Sequence, residues 1–219
     1  MNFRYGDKEI EYLKSRDRRL GEVIDRIGQI RWTVEPDIFS AIVQNIVAQQ
    51  ISGKAAGSIL ARVGELLGEI TLKAVAKTDV QAFRTCGVSQ RKAEYIKDFA
   101  AKVVSGEFDL SAVAKLPDAE VIAALSSLRG IGVWTAEMLL LFTLQRPDVL
   151  SYGDLGIHRG MRMVYRHRKI TKVLFEKYRR RLSPCGSVAS LYFWKVAGGA
   201  IPVLTDPGAK FNNAKMLKD

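Results

Sequence analysis

Apolar residues recur along this chain at the spacing of amphipathic helices, whereas the alternation typical of strands is scarce. A dense apolar run follows Pro36 and is apolar enough for a buried central helix that ends near Gln49 and Gln50. Nearer the N-terminus, the residues at helical spacing are Ile10, Leu13, Leu20, Val23, Ile24 and Ile27. These patterns predict an all-α protein.

Capping residues and glycines mark the bounds of the remaining helices. Gly68, Gly87 and Gly106 follow three of them. About ten helices are expected in all, and a short turn between two of them gives a helix–hairpin–helix pattern. The predicted spans are residues 52–67, 78–85, 89–104, 117–127, 133–144, 156–167, 171–182 and 187–197.

The turn before residue 133 reads Arg129-Gly130-Ile131-Gly132. Glycine permits positive φ and lets a phosphate approach the backbone, while amides at the start of the next helix attract an anion. We expect Ile131 to turn inward and hold the turn rigid. For Gly-x-Gly alone an ordinary tight turn is the alternative, so the surrounding residues decide.

Those surroundings resemble the helix–hairpin–helix (HhH-GPD) DNA glycosylase superfamily, and within it the 3-methyladenine DNA glycosylase II class. The resemblance rests on the hairpin with Thr135-Ala136 after it, on an apolar helix, and on Gly153-Asp154 further along. Residues 46–52 are similar to the class motif at the end of its first barrel helix, and residues 190–194 to its C-terminal aromatic segment.

The resemblance implies a two-lobed fold with a central helical barrel. The barrel lobe, residues 36–148, contains the hairpin, and residues 1–35 with 149–219 form the second lobe. An active-site cleft is expected between them. Larger members carry an N-terminal β-rich domain, which we do not expect in this chain.

Asp154 matches the catalytic aspartate of the family. Breaking an N-glycosidic bond builds positive charge on the sugar, so a carboxylate stabilises the transition state and orients a water. Spacing alone is equally consistent with a cap on the helix starting near Gly156. Members that also cut the strand place a lysine two residues after Gly132, where Trp134 stands, so we expect no AP lyase activity.

The same resemblance assigns a base pocket to Trp134, Trp194, Met138 and Tyr152. Either tryptophan could instead belong to the core. Aromatic rings stack on an extruded base and attract a positive one, which favours 3-methyladenine and 7-methylguanine as substrates. Met138 stands where some members carry a tyrosine, which leaves the base preference open.

Predicted DNA contacts lie in three segments. Gln50 matches the wedge that fills the gap left by a flipped base, the alternative being a plain helix-ending glutamine. Gly186 stands where an arginine is frequent in the family, so no contact is predicted there. The set is Gln50, Ser52, Arg129, Gly130, Ile131, Gly132, Thr135 and Arg159.

Charge supports a nucleic-acid partner. The 219 residues carry a net charge of +11 with a pI near 9.7. Residues 158–181 hold ten Lys or Arg against the single acid Glu176, although charge runs are usually solvated faces. We expect a monomer that binds double-stranded DNA with damaged bases and does not bind membranes.

Cys86 and Cys185 are too few for a four-cysteine iron–sulfur site, which excludes relatives of the endonuclease III kind. His158 and His167 lack the spaced partners of a zinc site. The resemblance implies a structural Na⁺ or K⁺ on the backbone carbonyls of Leu128 and Gly130, and no other cofactor. A prokaryotic cytoplasm with its nucleoid is the expected location, or the nucleus in a eukaryote.

Three hypotheses follow. The first is a monofunctional glycosylase for alkylated purines that leaves an abasic site. The second is a glycosylase for deaminated or oxidised bases such as uracil, hypoxanthine or 8-oxoguanine. The third is a damage-sensing DNA-binding protein that performs no chemistry.

Overall fold

The computed structural model describes residues 1–209, which are helical apart from turns, loops and an isolated antiparallel bridge between Asn2 and Thr33. The all-α prediction is confirmed. No helix in this range is long and apolar enough to cross a bilayer. The helices are α1 (Asp7–Arg16), α2 (Arg18–Ile27), α3 (Ile38–Ala48), α4 (Gly53–Leu67), α5 (Leu72–Lys77), α6 (Val80–Thr85), α7 (Gln90–Val104), α8 (Leu110–Val113), α9 (Asp118–Ser126), α10 (Val133–Phe142), α11 (Leu155–Tyr165), α12 (Lys172–Leu182) and α13 (Gly186–Ala197).

Local capping explains where most helices begin. Each of α3 to α8 follows a residue whose side-chain oxygen accepts a backbone N–H of the first turn. The pattern missed α5 and α8, which have six and four residues and are too short to show a period. The N-terminal apolar series, for which no bounds were predicted, belongs to α1 and α2, which separate at Asp17, the buried cap of α2.

The first compact unit consists of Met1 and Val34–Leu144 and contains α3 to α10. Helix α3 packs against α4, α7 and α10 and is buried along most of its length, which confirms the predicted central helix. Phe39 of α3 stacks on Phe99 of α7 with ring centroids 5.0 Å apart. Helices α3, α7 and α10 therefore belong to one packed core.

The second unit consists of Asn2–Thr33 and the described residues from Gln145 onward, with α1, α2 and α11 to α13. Helices α11 and α13 pack closely because Gly160 has no side chain: a Cβ there would lie 2.2 Å from the Phe193 carbonyl oxygen. The boundaries of both units fall within a few residues of the predicted lobes. The cleft between the lobes stays a prediction.

Candidate active site

Asp154 is the N-cap of α11 and is 6% exposed. Its Oδ1 accepts the backbone N–H of Ile157 at 2.7 Å and the indole N–H of Trp194 at 2.9 Å. The carboxylate is therefore both a helix cap and a buried, oriented charge. The sequence left open whether Asp154 is a helix cap or a catalytic carboxylate, and this geometry is compatible with both.

Trp194 lies on α13 beside this carboxylate, and a second indole lies beside it. The Trp32 ring centroid is 5.7 Å from that of Trp194, with the planes tilted by 41°. Gly156 makes the arrangement fit, since a Cβ there would lie 2.8 Å from Trp194 Cδ1 and 3.1 Å from Asp154 Oδ1. Both tryptophans are half-buried, so neither is a plain core residue.

Trp32 was missed by the sequence analysis. It lies between α2 and α3, far along the chain from Asp154, and no motif surrounds it. Lys195 places its ammonium 5.9 Å from the Trp32 ring centroid, which adds a cation to this aromatic surface. Only the fold brings these residues together.

Tyr152, assigned to the base pocket by resemblance, packs against two aromatic side chains, and its role in the pocket stays a prediction. Its ring packs edge-on against His158 at 4.9 Å and Phe175 at 5.1 Å between centroids. Burial lowers the pKa of His158, and the charge of Arg162 lowers it further. The imidazole is accordingly neutral at pH 7. Tyr152 remains 41% exposed, but the contacts of its ring are with this cluster.

The two hairpin glycines differ in whether their position could hold a side chain. Gly130 has φ +87°, and a Cβ on it would lie 2.4 Å from Tyr95 Cδ2 of α7. Gly132 is the N-cap of α10 with extended backbone, and a Cβ there would meet open space. Ile131 is 5% exposed, which confirms that it turns inward.

Side chains around the hairpin separate into exposed and buried ones. Trp134 is 46% exposed on the first turn of α10, which removes the alternative that it is a core residue. Met138 and Thr135 are buried, with 6% and 5% of their surface exposed. This corrects the expectation for Thr135, whose side chain does not reach the surface and leaves only its backbone for a DNA contact. Arg129 is exposed, with its guanidinium 5.1 Å from the Tyr95 ring centroid.

The loop after α3 presents Gln50, which is exposed and has φ +58°. Side chains other than glycine rarely occupy this left-handed region, so the position keeps a glutamine at a cost in backbone energy. Ser52 is the N-cap of α4, and its hydroxyl accepts the Ala55 N–H at 3.2 Å. The preceding residue, Gln49, donates its side-chain amide to the Gly130 carbonyl at 2.6 Å.

Acidic residues outside the basic stretch neutralise part of it. Asp206 accepts two hydrogen bonds from Arg162, at 2.8 and 2.6 Å, and lies 3.9 Å from the guanidinium of Arg159. Arg162 accordingly lowers the pKa of Asp206. Arg159 keeps an exposed side chain, so it remains available as a predicted phosphate contact.

Gly186 stands where family members often carry an arginine, and its surroundings leave little space for a side chain. Its N–H donates to Asp148 Oδ1 at 3.0 Å, and a Cβ at this position would lie 2.7 Å from the same oxygen. A larger residue therefore requires Asp148 to move.

The carbonyls predicted to hold a cation already accept hydrogen bonds. Gly130 accepts the Gln49 amide and Leu128 accepts the Ile131 N–H at 3.1 Å, so each has one remaining lone pair for a monovalent ion. Among the described residues no group of three or more His, Cys, Asp or Glu side chains is placed to hold a metal.

Comparison with known proteins identifies the family of this chain. Residues 43–185 match the family model described as "HhH-GPD superfamily base excision DNA repair protein". The chain is 31% identical to "DNA-3-methyladenine glycosylase 1" of Schizosaccharomyces pombe over 82% of this chain and 81% of that protein.

Solved structures give the same result. A DNA-3-methyladenine glycosidase from Bacillus halodurans superposes with a TM-score of 0.79 at 35% identity, covering 90% of this chain and 93% of that one. A 3-methyladenine DNA glycosylase from fission yeast, solved in complex with abasic DNA, gives 0.76 at 28% identity, covering 87% and 97%. The chain belongs to the HhH-GPD superfamily of base excision DNA repair proteins.

Proposed function

We propose that this protein is a monofunctional DNA glycosylase that flips alkylated purines out of duplex DNA and hydrolyses their N-glycosidic bond, leaving an abasic site. Membership in the superfamily makes it a DNA glycosylase of base excision repair. The observation that carries the finer assignment is the buried Asp154 carboxylate, held by the indole N–H of Trp194 beside a second tryptophan.

The carboxylate suits a reaction that passes through a cationic sugar. As the bond between C1′ and the purine breaks, its electron pair leaves with the base and positive charge develops on the sugar. Asp154 stabilises that charge and orients the water that adds to C1′. The Ile157 and Trp194 N–H groups hold its Oδ1, so the charge needs little reorganisation during the reaction.

The substrate class follows from the aromatic surface and the leaving group. A purine methylated at N3 or N7 is positively charged and departs as a neutral base, so no general acid is needed to protonate it. The Trp194 and Trp32 rings can stack on the base, and a π face not already used by the Lys195 ammonium attracts such a cation by about 0.5–2 kcal/mol. Burial lowers the pKa of His158, which favours the neutral imidazole, and departure of a methylated purine needs no proton from it.

We propose that the enzyme does not cleave the DNA strand, because of the residue at position 134. A glycosylase with lyase activity needs an amine there to form a Schiff base with the sugar. Trp134 has no such amine, and water is left as the nucleophile. We further propose that the enzyme acts as a monomer on damaged double-stranded DNA, in a prokaryotic cytoplasm or a eukaryotic nucleus, with no cofactor beyond a monovalent cation at the hairpin.

The test is release of free base from duplexes that each contain one lesion. The panel contains 3-methyladenine, 7-methylguanine, uracil, hypoxanthine and 8-oxoguanine, and borohydride trapping reports any Schiff base. We expect release of the methylated purines without trapping. Preferential release of a deaminated or oxidised base supports the second hypothesis, a trapped complex contradicts the monofunctional assignment, and tight binding without release supports the damage sensor.

A further inference from the structure

The end of α3 is fastened by a lysine from another helix. Lys92, in the first turn of α7, donates from its ammonium to the Val47 carbonyl at 2.9 Å and to the Gln49 carbonyl at 2.6 Å. The last carbonyls of a helix lack intrahelical partners and carry partial negative charge, so an ammonium there is stabilising. Burial lowers the pKa of Lys92, and the charge of Arg91 lowers it further.

The same loop is fastened to the hairpin. Gln49 donates its side-chain amide to the Gly130 carbonyl at 2.6 Å, a bond between residues 81 positions apart in sequence. One turn along α7 from Lys92, the Tyr95 ring fills the space where Gly130 lacks a Cβ. A single face of α7 therefore supports both the Gln50 loop and the hairpin turn.

We propose that Lys92 and Gln49 are positioning residues that hold the Gln50 wedge in register with the hairpin, so that phosphate binding and base extrusion occur together. The inference rests on the proposed function of the protein as a base-flipping glycosylase. Gln50 itself needs such support, because its left-handed backbone is unfavourable for a glutamine and relaxes if the loop is loose. A wedge displaced by an ångström no longer fills the gap as the base leaves the stack.

The chain offers a matched control on the same helix. Lys97 of α7 donates to the carbonyls of Val75 and Ala76, at 3.0 and 2.6 Å, near the end of α5. The chemistry equals that of Lys92, but α5 carries no predicted DNA contact. Lys97→Met removes an equivalent bond without touching the wedge or the hairpin.

The experiment compares wild type with Lys92→Met, Gln49→Leu and Lys97→Met on two substrates. In one duplex 7-methylguanine is paired with cytosine, and in the other it lies opposite a tetrahydrofuran abasic analogue, where extrusion is easier. Lys92→Met and Gln49→Leu are expected to slow single-turnover release about 10- to 100-fold on the paired substrate and by much less on the unpaired one. Lys97→Met should match wild type on both, and Lys92→Arg should restore much of the rate.

Equal losses on the two substrates would overturn the proposal, since damage to folding does not depend on the opposite base. Unchanged release on both would overturn it as well. Melting curves identify variants that fail to fold. If Lys92→Met does not fold, Gln49→Leu carries the test, and if Gln49→Leu does not fold, Lys92→Met carries it.

A third readout separates this inference from the proposed function. If wild type releases no base from any lesion, the glycosylase proposal for alkylated purines fails. Fluorescence of 2-aminopurine placed next to the lesion still reports extrusion in the bound duplex. Lower fluorescence with Lys92→Met than with Lys97→Met then supports the positioning role, and equal fluorescence rejects it.

Discussion

Two helix N-termini in this protein differ in whether a side chain caps their backbone amides. Helix α10 begins after Gly132 and receives no side-chain cap, whereas α11 begins after Asp154, whose carboxylate accepts the Ile157 N–H. Both ends carry the positive pole of a helix dipole. The first is suited to an anion that comes from outside, and the second supplies its own.

The difference fits the two tasks that the proposed function assigns to these helices. A phosphate at α10 brings charge only while DNA is bound, and a glycine cap lets it approach the backbone. The Asp154 carboxylate is a permanent charge, fixed by two N–H donors and buried so that water screens it little. In the proposed function, phosphate binding and bond cleavage thus use the same element of secondary structure, distinguished by one residue at the cap.

Replacing Asp154 with Asn is expected to have the largest effect, slowing base release on the order of a thousandfold. Asn caps helices as well as Asp does, so α11 begins as before and only the charge is lost. Single-turnover release and duplex affinity are measured together, and affinity should be retained. Asp79→Asn, at the cap of α6, is the control and should be fully active. An active Asp154→Asn enzyme would remove the carboxylate from the mechanism.

Gly132→Asp converts the first kind of N-terminus into the second. The extended backbone and open space at Gly132 accept the new side chain, which can cap α10. Stability should stay level or rise by about a few tenths of a kcal/mol, while duplex affinity falls at least about tenfold from like-charge repulsion with phosphate. Gly132→Asn caps without charge and separates the two effects. Unchanged affinity with Asp would mean that no phosphate binds at α10.

Gly130→Ala tests the other hairpin glycine. The added methyl meets the Tyr95 ring at 2.4 Å, and φ +87° is unfavourable for alanine. We expect the free energy of unfolding in urea to fall by about 2–3 kcal/mol. Tyr95→Ala in the same chain should recover the steric share, whereas Gly132→Ala alone should cost little. A stable Gly130→Ala protein would contradict the tight approach of α7.

The contrast between these regions also explains what the sequence could predict. The hairpin and Asp154 each lie in a short contiguous motif, and the capping residues next to the helices set most helix bounds. Such signals are local and survive in a one-dimensional pattern. The inward turn of Ile131 was predictable for the same reason.

Features that depend on distant chain segments were not predictable. Trp32 meets Trp194 only after folding, and Asp206 neutralises Arg162 from outside the basic stretch. Thr135 adjoins the hairpin, yet helix geometry turns it into the core, which a motif does not reveal. Direction and long-range pairing are properties of packing.

Trp32 gives the smallest predicted effect and the most specific one. Trp32→Leu removes an aromatic face but keeps apolar bulk against Trp194, so release of cationic 7-methylguanine should slow about tenfold, since stacking on one ring is worth roughly 1–3 kcal/mol. Neutral hypoxanthine should lose less, because it gains no cation–π attraction. Trp32→Phe should keep most of the rate for both bases, and single-turnover release supplies the comparison. Equal slowing of both bases would make Trp32 a support for Trp194 rather than part of the surface that selects charge.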